Sequence, residues 1–461
     1  MNTLIALTIL AVLVLILEMV NLRKIIVPMT IAGLLVTLGI SVSEWDVNRS
    51  FYHSMIIVNK TNMLFSGLFI LLTIFLIVLS EAFYKPIYNK ISDFVSIKLF
   101  LLIGAICMVC FGNMVVFFLG LEILSISLYV LAGSDFTNIK SNESGMKYLL
   151  LGSFASGFVL FGIAMIYGAT VSFNIIEINA LWLQKPIWFG LGAIMVLIGM
   201  LFKVAAFPFH FWAPDVYQGA PVLTTTLMST LAKVAAVASL FKLYVIFAPG
   251  LPEGFTNMLV FIIMATMLIG NIMALQQSNV KRMLAYSGIS HAGFMLMALL
   301  SFDVSAPYLF YYATAYSIAG IAAFSAVIYV CQGMDDEDIS SFKGLVYRKP
   351  WMAIVLAGGL LSMAGIPIMA GFFGKFFLFE NTLNAGYTFL VIWAVVNSII
   401  SIYYYFRLMI TAFTKAEAND AIIEQTNGDK KYYSMYMLAG MIAVIISIAI
   451  GVYPDLILGL F

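Results

Sequence analysis

Charged side chains are scarce in this chain of 461 residues. Asp, Glu, Lys and Arg make up 10% of it, and they nearly cancel to a formal net charge of +1. Soluble domains carry about 25% charged residues. The scarcity argues against a soluble domain, and the balance leaves no basic surface for nucleic acid. In contrast, 63% of the residues are hydrophobic and the mean hydropathy is +1.05, which is typical of a polytopic membrane protein.

Cysteine and histidine are also rare, with three of each. Cys107 and Cys110 form a C-x-x-C pattern, but no second pair follows and the apolar neighbours indicate a helix. The chain has no metal-spaced Cys/His set and no glycine-rich phosphate loop, and no loop is long enough for a soluble catalytic domain. We therefore expect no cofactor and no metal on this chain. The first twenty residues lack a basic leading region, so they predict a spanning helix rather than a cleaved signal.

Long apolar runs divide the chain into predicted membrane spans, each of which needs about 20 mostly apolar residues. The fold class predicted from them is an all-α polytopic membrane protein. We count fourteen spans: 3–21, 25–42, 63–83, 97–111, 113–132, 144–168, 187–210, 222–247, 255–275, 283–301, 308–332, 351–386, 388–413 and 432–457. The separation of the fourth from the fifth depends on Gly112 and Asn113 alone.

Basic residues in the connecting loops predict the orientation. One set of alternate loops holds Arg23, Lys24, Lys85, Lys90, Lys98, Lys140, Lys281, Arg282, Lys343, Arg348, Lys349, Lys415, Lys430 and Lys431. The other set holds only Arg49, Lys60 and Lys185. Because basic loops stay in the cytoplasm, the first set is predicted to be cytoplasmic. An even number of spans then places both termini on the periplasmic side of a bacterial inner membrane.

Two spans are interrupted at corresponding places. The first contains Pro208 and Pro214, and the second contains Gly365 and Pro367. Proline removes a hydrogen-bond donor and breaks a helix, and irregular backbone at membrane depth needs protein or water to satisfy it. Each interrupted span is the fourth in a run of five, which predicts two inverted five-helix repeats. The predicted domains are an N-terminal three-helix segment 1–96, repeats 97–247 and 255–413, and a C-terminal segment 414–461.

Four charged residues lie inside these spans: Glu122, Lys203, Lys233 and Lys375. Each disfavours insertion by ~2.5–3.5 kcal/mol at a helix centre. Such residues are retained for a function, so we predict a path for charge through the membrane, most simply for protons. Lys203 precedes the first interruption and Lys375 follows the second.

Glu122 lies about nine residues from either end of its span, ~13 Å from each interface, too deep to reach water by extending its side chain. It is therefore protonated, paired with a cation, or beside water. Burial disfavours a charged amine and a nearby carboxylate favours it. We predict that Glu122 and Lys203 form a switch that holds the proton when they are close and releases it when they separate. A protonated glutamate in one structural hydrogen bond is the alternative for Glu122.

Other polar residues leave two interpretations open. Lys147, Lys242 and Arg407 either extend to the interface or join the pathway. His210 and His291 either relay protons between lysines or make structural hydrogen bonds.

Two further features have simpler interpretations. Asp215 follows the first interruption and is predicted to act as a cap or a hinge. The YYYFR sequence at 403–407 is predicted to be a helix end with an interfacial aromatic belt.

Several long motifs are similar to a known family. FLGLEILSISLYVLAG, FKVAAFPFHFWAPDVYQGAPVLTTTLMSTLAK, NVKRMLAYSGISHAGFM and LSMAGIPIMAGFFGKF occur in the order of the family they resemble. That family is subunit N of NADH–quinone oxidoreductase (respiratory complex I), within the antiporter-like membrane subunits. The resemblance covers about residues 60–415. It implies fourteen helices with two inverted repeats, the fourth helix of each repeat being broken.

The resemblance also implies roles for residues of this chain. Glu122, Lys203, Lys233 and Lys375 match the family's proton path, and Lys147, His210 and His291 match residues beside it. Lysine rather than glutamate at 375 favours subunit N over its sister subunit M. The implied function is proton translocation driven by electron transfer in other subunits, which would hold FMN, iron–sulfur clusters and quinone. The implied partners include a neighbouring antiporter-like subunit. A cation/proton antiporter or membrane-bound hydrogenase complex is the alternative.

Overall fold

Apolar helices of 18 to 32 residues dominate the computed structural model, which describes residues 1–84, 90–252, 254–332, 337–415 and 430–461. Thirteen helices in these ranges are long and apolar enough to cross a membrane. They coincide with thirteen of the fourteen predicted spans. The predicted class, a polytopic helical membrane protein, is confirmed.

The N-terminal segment contains three helices and a short hairpin. Its elements are α1 (Asn2–Met19), α2 (Arg23–Ser43), β1 (Arg49–Phe51), β2 (Ile56–Val58) and α3 (Lys60–Phe83). The antiparallel hairpin pairs Ser50 with Ile57. It is a small addition to the predicted all-α fold.

The next part carries the first broken span. Its elements are α4 (Ile91–Cys110), α5 (Met114–Ala132), α6 (Ile139–Thr170), α7 (Ile175–Leu181), α8 (Pro186–Val204), α9 (Trp212–Gly219), α10 (Val222–Leu227) and α11 (Lys233–Phe247). A π-helical turn, Met228–Ala232, joins α10 to α11 without a break.

The remaining part carries the second broken span. Its elements are α12 (Phe255–Leu275), α13 (Val280–Leu296), α14 (Ala306–Cys331), α15 (Leu345–Arg348), α16 (Pro350–Ala364), α17 (Ala370–Asn384), α18 (Thr388–Phe413), α19 (Lys430–Val452) and α20 (Asp455–Leu458). Short 3-10 turns occur at Trp182–Gln184, Ala248–Gly250, Met297–Ser301 and Ile339–Phe342.

The predicted separation of the fourth and fifth spans is confirmed. α4 ends at Cys110, and the Asn113 side chain caps α5 by accepting a hydrogen bond from the Val115 amide. The backbone amide of Gly112 donates to the carbonyl of Met55, next to the hairpin. This contact holds the short connection against the N-terminal segment.

The prediction that Lys98 lies in a cytoplasmic loop is wrong. α4 begins at Ile91, before the predicted start at residue 97, and Lys98 is buried two turns inside it. Ser80 and Tyr84, at the end of α3, contact its ammonium group. These partners allow a lysine to be enclosed where the sequence suggested a helix boundary.

Both interruptions are present as breaks between helices. α8 ends where Ala205 adopts a left-handed conformation (φ 61°), and α16 ends where Gly365 does so (φ 82°). The indole Nε1 of Trp212 donates across the first break to the carbonyl of Phe202, 2.9 Å away. The same carbonyl also accepts a hydrogen bond from the Ala205 amide, so the indole adds a second donor at the end of α8.

The predicted twelfth span corresponds to α16 and α17, each of 15 residues. Neither is long enough to cross a bilayer alone, since that takes about 20 residues. The inverted-repeat relation and the domain limits stay predictions. Residues 416–429 of the predicted C-terminal segment lie outside the described residues.

The centre of the helix bundle is formed by α13 and α14. In the apolar 18-residue stretch of each, 94% of the residues are buried. α13 packs against α9 and α12, whereas α14 packs against α16, α17 and α19. Side chains on α13 therefore face other helices rather than lipid.

The orientation in the membrane also stays a prediction. Among the basic residues behind it, Lys85 and the side chains of Lys430 and Lys431 lie outside the described part of the chain.

Candidate functional site

Lys203 lies in the last turn of α8, directly before the first break. It is 9% exposed, and its Nζ atom donates to Ser125 Oγ at 2.7 Å and to Tyr129 OH at 3.2 Å. Both hydroxyls belong to α5. Lys203 is therefore held by neutral oxygens rather than by a direct ion pair with Glu122.

Glu122 lies on the same face of α5 as these hydroxyls, because Glu122, Ser125 and Tyr129 are spaced three and four residues apart. The Oε1 atom of Glu122 is buried and has no hydrogen-bond partner among the described residues. An unpaired buried carboxylate oxygen is costly, so this atom is ready to accept a proton or a donor. The predicted switch stays a prediction.

Lys233 follows the π-helical turn and begins α11. It is 3% exposed, and within the described ranges its Nζ atom has no hydrogen-bond partner. It lies 5.9 Å from the centre of the Tyr217 ring. π turns occur frequently at functional sites, and this one rotates the lysine relative to the preceding helix. Its amine therefore has donor positions to which a further polar group can bind.

Lys203 and Lys233 line the same cavity. Its volume is about 20 Å³, and Ser125, Tyr148 and Tyr217 are also in its wall. A cavity needs about 10–15 Å³ to hold one water molecule, and a water needs two to four polar partners. The space between the two amines therefore suits one bridging water.

His291 lies on α13 between residues that approach Lys233 and Lys375. Three residues before it, a β-carbon on Gly288 would lie 2.8 Å from Lys233 Nζ, and three residues after it, the centre of the Phe294 ring lies 5.1 Å from Lys375 Nζ. Its Nδ1 atom is 2.7 Å from Tyr312 OH and its Nε2 atom is 2.9 Å from Tyr405 OH. Tyr405 OH also forms a short hydrogen bond with Ser287 Oγ. Since each hydroxyl can donate or accept, the chain from Ser287 through His291 to Tyr312 can reverse its direction.

Lys375 lies at the second break, where α16 ends. It is 4% exposed, and its Nζ atom donates to the Ala364 carbonyl at 3.0 Å and to Ser398 Oγ at 2.9 Å. The carbonyl is one of those left free at the end of α16, where the helix dipole favours a positive charge. The broken helix therefore supplies the binding position of this lysine.

His210 is not brought into contact with the lysines. It lies in the first break, 4% exposed, and its ring faces Phe211 at 4.2 Å and Phe207 at 6.0 Å. Its Nδ1 atom has no partner in the described part of the chain. The proposed relay through His210 therefore gains no support from a contact.

Lys147 also lies apart from the buried lysines. Its side chain is 43% exposed and ion-pairs with Glu143 at 2.7 Å and with Asp215 at 3.4 Å. Asp215 in turn pairs with Arg282 at 2.6 Å. Asp215 lies in the first turn of α9, makes no capping bond there, and links α6 and α13 instead.

Lys242 and Arg407, which the sequence left open, bind helix ends. Lys242 Nζ donates to the carbonyls of Val109 and Phe111 at 2.8 and 2.6 Å. Arg407 donates to carbonyls of Leu275 and Gln277 just past α12. Both cations bind carbonyls at helix ends, and a place for either residue in the pathway stays a prediction.

The predicted aromatic belt at 403–407 is wrong for two of its tyrosines. Tyr403 is 64% exposed, whereas Tyr404 and Tyr405 are buried inside α18. A continuing helix turns successive side chains to different faces, so one tyrosine of the run reaches His291. Sequence reasoning also missed the hydroxyls that hold the amines. The spacing of Ser125 and Tyr129 from Glu122 was the available signal.

The described residues contain no cluster of three or more His, Cys, Asp or Glu side chains that could hold a metal ion. What they contain is a line of buried amines, with a histidine between the second and third. The fold and site thus define a class, polytopic helical membrane proteins with a buried lysine row that begins and ends at a broken helix.

Comparison with known proteins agrees with this class. Residues 112–401 match the family model described as NADH:quinone oxidoreductase/Mrp antiporter, TM, and the chain belongs to this family. It is 55% identical over the full length of both chains to NADH-quinone oxidoreductase subunit N of Flavobacterium johnsoniae. It is 50% identical, again over both full lengths, to subunit N of Flavobacterium psychrophilum.

Solved structures give the same result. A chain of respiratory complex I from Thermus thermophilus matches with a TM-score of 0.85 and 28% identity, covering 99% of this chain and 98% of that one.

Proposed function

We propose that this chain is a proton-translocating membrane subunit of a bacterial NADH–quinone oxidoreductase. In this role Lys203, Lys233 and Lys375 carry the protons, His291 relays them between the last two, and Glu122 controls Lys203. The observation that carries the proposal is the cavity shared by Lys203 and Lys233, continued by His291 on the helix that approaches both Lys233 and Lys375.

The hydrogen bonds of the row support reversible loading. Lys203 and Lys375 each donate two hydrogen bonds, to hydroxyls or a carbonyl, while Lys233 donates none within the described residues. A proton on Lys233 is therefore held least firmly and passes on most easily. Glu122 lies about one helical turn from Ser125 on α5. A shift of the Lys203 amine along α5 by one helical turn would therefore exchange its hydroxyl partner for the carboxylate.

Energetically, moving one proton against 100 mV costs ~2.3 kcal/mol. A roughly fiftyfold change in the proton affinity of one lysine supplies this energy. Pairing with a carboxylate in a low-dielectric interior is large enough to produce such a change. The driving motion comes from neighbouring subunits, because the proposed role assigns electron transfer, FMN, iron–sulfur clusters and quinone to them and no redox chemistry to this chain.

The proposed partners are other membrane subunits of the complex, including an adjacent antiporter-like subunit, together with the lipid bilayer. The alternative of a cation/proton antiporter or hydrogenase subunit is not favoured, since the full-length relatives at 50–55% identity are named subunit N. Purification of the native complex tests this assignment. Flavin and iron–sulfur centres should copurify with the chain, and their absence from a complex that still transports protons would contradict it.

The lysine row is tested in the assembled complex, reconstituted in vesicles. Lys203→Met should strongly reduce NADH-driven proton transport while leaving the amount of assembled complex unchanged. Lys60→Met, which removes an exposed lysine at the start of α3, is the matched control and should behave as the unchanged protein. Normal transport by an assembled Lys203→Met complex would overturn the proposed role of the row.

A further inference from the structure

A further lysine is buried outside the row. Lys98 on α4 is 2% exposed, its Nζ atom donates to Ser80 Oγ at 2.9 Å, and the same atom lies 4.6 Å from the centre of the Tyr84 ring. Within the described part of the chain, no carboxylate forms an ion pair with Lys98. Its surroundings therefore provide one hydrogen bond and one aromatic face.

This environment is unsuited to a permanent charge. Enclosing an ammonium group without a counter-charge costs several kcal/mol, and one hydrogen bond and one aromatic contact recover only part of that cost. A lysine used only to tie α4 to α3 would be replaced by a neutral residue with little loss of stability. A group that gains and loses a proton accounts better for its presence.

Polar groups continue from Lys98 toward the row. Tyr84 follows the last residue of α3, and α3 packs against α10, the helix that carries Thr224. The hydroxyl of Tyr84 has no hydrogen-bond partner among the described residues. Thr224 begins a run of buried hydroxyl side chains: Thr224, Thr225, Thr226, Ser229 and Thr230, each at most 3% exposed. Thr230 lies in the π-helical turn that ends directly before Lys233.

The hydroxyls of this run have free acceptor positions. Ser229 and Thr230 donate to the carbonyl of Thr226, at 3.0 and 2.7 Å. A hydroxyl that donates one hydrogen bond keeps two lone pairs, so each of these hydroxyls can also accept a hydrogen bond. Both residues belong to the π-helical turn, which ends directly before Lys233.

We propose that Lys98 is a proton-loading site that supplies Lys233 through Tyr84 and the hydroxyl side chains between Thr224 and Thr230. Lys98 lies near the end of α3 and the start of α4, on the side that the basic loops predict to be cytoplasmic. The route therefore takes up protons from that side. The inference rests on the proposed function, since it adds a branch to the same lysine row.

The test compares Lys98→Met with Lys90→Met in the assembled complex in vesicles. Lys90 is an exposed lysine at the start of the same helix, so both variants replace one lysine amine by the same apolar side chain. We expect Lys98→Met to lower the initial rate of NADH-driven proton transport roughly tenfold, with the deficit growing as the pH on the uptake side rises. Its thermal stability should be unchanged or higher, and Lys90→Met should change neither property.

A second variant, Tyr84→Phe, keeps the ring that stacks on Phe94 with centres 3.9 Å apart and removes only the hydroxyl. It should slow transport in the same pH-dependent way. The inference is overturned if Lys98→Met transports as Lys90→Met does, or if transport and stability fall together without pH dependence. Lys203→Met, measured in parallel, separates the two proposals: if only Lys203→Met is impaired, the row stands and the Lys98 branch fails.

Discussion

A β-carbon placed on Gly288 would lie 2.8 Å from the Nζ atom of Lys233. Gly288 is on α13, so the central helix of the second half directly limits the position of a lysine from the first half. The same helix carries His291, one turn further along. Because Gly288 has no side chain, Lys233 can lie directly against the helix that carries His291.

Gly288→Ala should displace the amine of Lys233 and slow NADH-driven proton transport. Stability should be unchanged or higher, because a flexible side-chain end can move aside and alanine favours a helix by up to about 1 kcal/mol over glycine. Thermal unfolding and vesicle transport of the complex measure the two effects. Gly157→Ala, on α6 with open space around it, should raise stability and leave transport intact. Equal transport by both variants would contradict the prediction.

Tyr405→Phe should impair the relay at His291, because the Nε2 atom loses its hydroxyl partner. We expect transport to fall roughly tenfold and stability by about 1 kcal/mol for each of the two hydrogen bonds of this hydroxyl, to His291 and to Ser287. Tyr311→Phe is the control, since within the described residues its buried hydroxyl bonds the Ile450 carbonyl alone, at 3.0 Å. It should lose about 1 kcal/mol of stability, for one hydrogen bond, and keep its transport rate. A relay role for His291 would be excluded if the two variants transported equally.

Lys242→Met should destabilise the protein and spare its function. The ammonium binds two carbonyls at the end of α4, and hydrogen bonds to charged groups contribute about 1.5–3 kcal/mol each. The yield of assembled complex and its unfolding temperature should fall, while transport per assembled complex stays constant. Lys185→Met, which removes an exposed lysine with one long bond to Gly168, should change little. Reduced transport per complex would instead place Lys242 in the pathway.

Asp215→Asn should weaken the attachment of α9 to α13. Burial raises the pKa of Asp215, but Arg282 and Lys147 outweigh it and hold the pKa below its ordinary value of 3.8. A lowered pKa means that the ionised form stabilises the folded chain above pH 3.8, and that this contribution is lost as the pH falls through the lower folded value. The stability penalty of the variant, about 1 kcal/mol for a partly exposed pair, should therefore be constant from pH 5 to 8.

Thermal unfolding of the complex across this pH range measures that penalty. Asp303→Asn, at an exposed turn, is the control and should show none. A penalty that disappears between pH 5 and 6 would show that Asp215 is not held in its ionised form by these partners.

The span positions, both helix breaks and the embedded charges were predictable from sequence. Runs of about 20 apolar residues, proline and glycine, and single ionisable residues are local properties, and the bilayer imposes one structural solution on them. The same local patterns led to the wrong prediction for Lys98. The beginning of an apolar run does not show whether the helix starts earlier, or whether a neighbouring helix buries a lysine there. These patterns also assigned Tyr404 and Tyr405 to the interface, although α18 continues beyond them.

The order of the residues is therefore sufficient to predict the membrane class, the helix content and which residues carry charge into the bilayer. The packing of the helices was needed to find that Lys203 bonds to Ser125 and Tyr129, that it shares a cavity with Lys233, and that Lys242 binds carbonyls at a helix end. Lys233 and Lys242 lie on one helix with similar apolar neighbours in sequence. Their difference arises because contacts between helices distant in sequence determine which carbonyl, hydroxyl or empty space each amine meets.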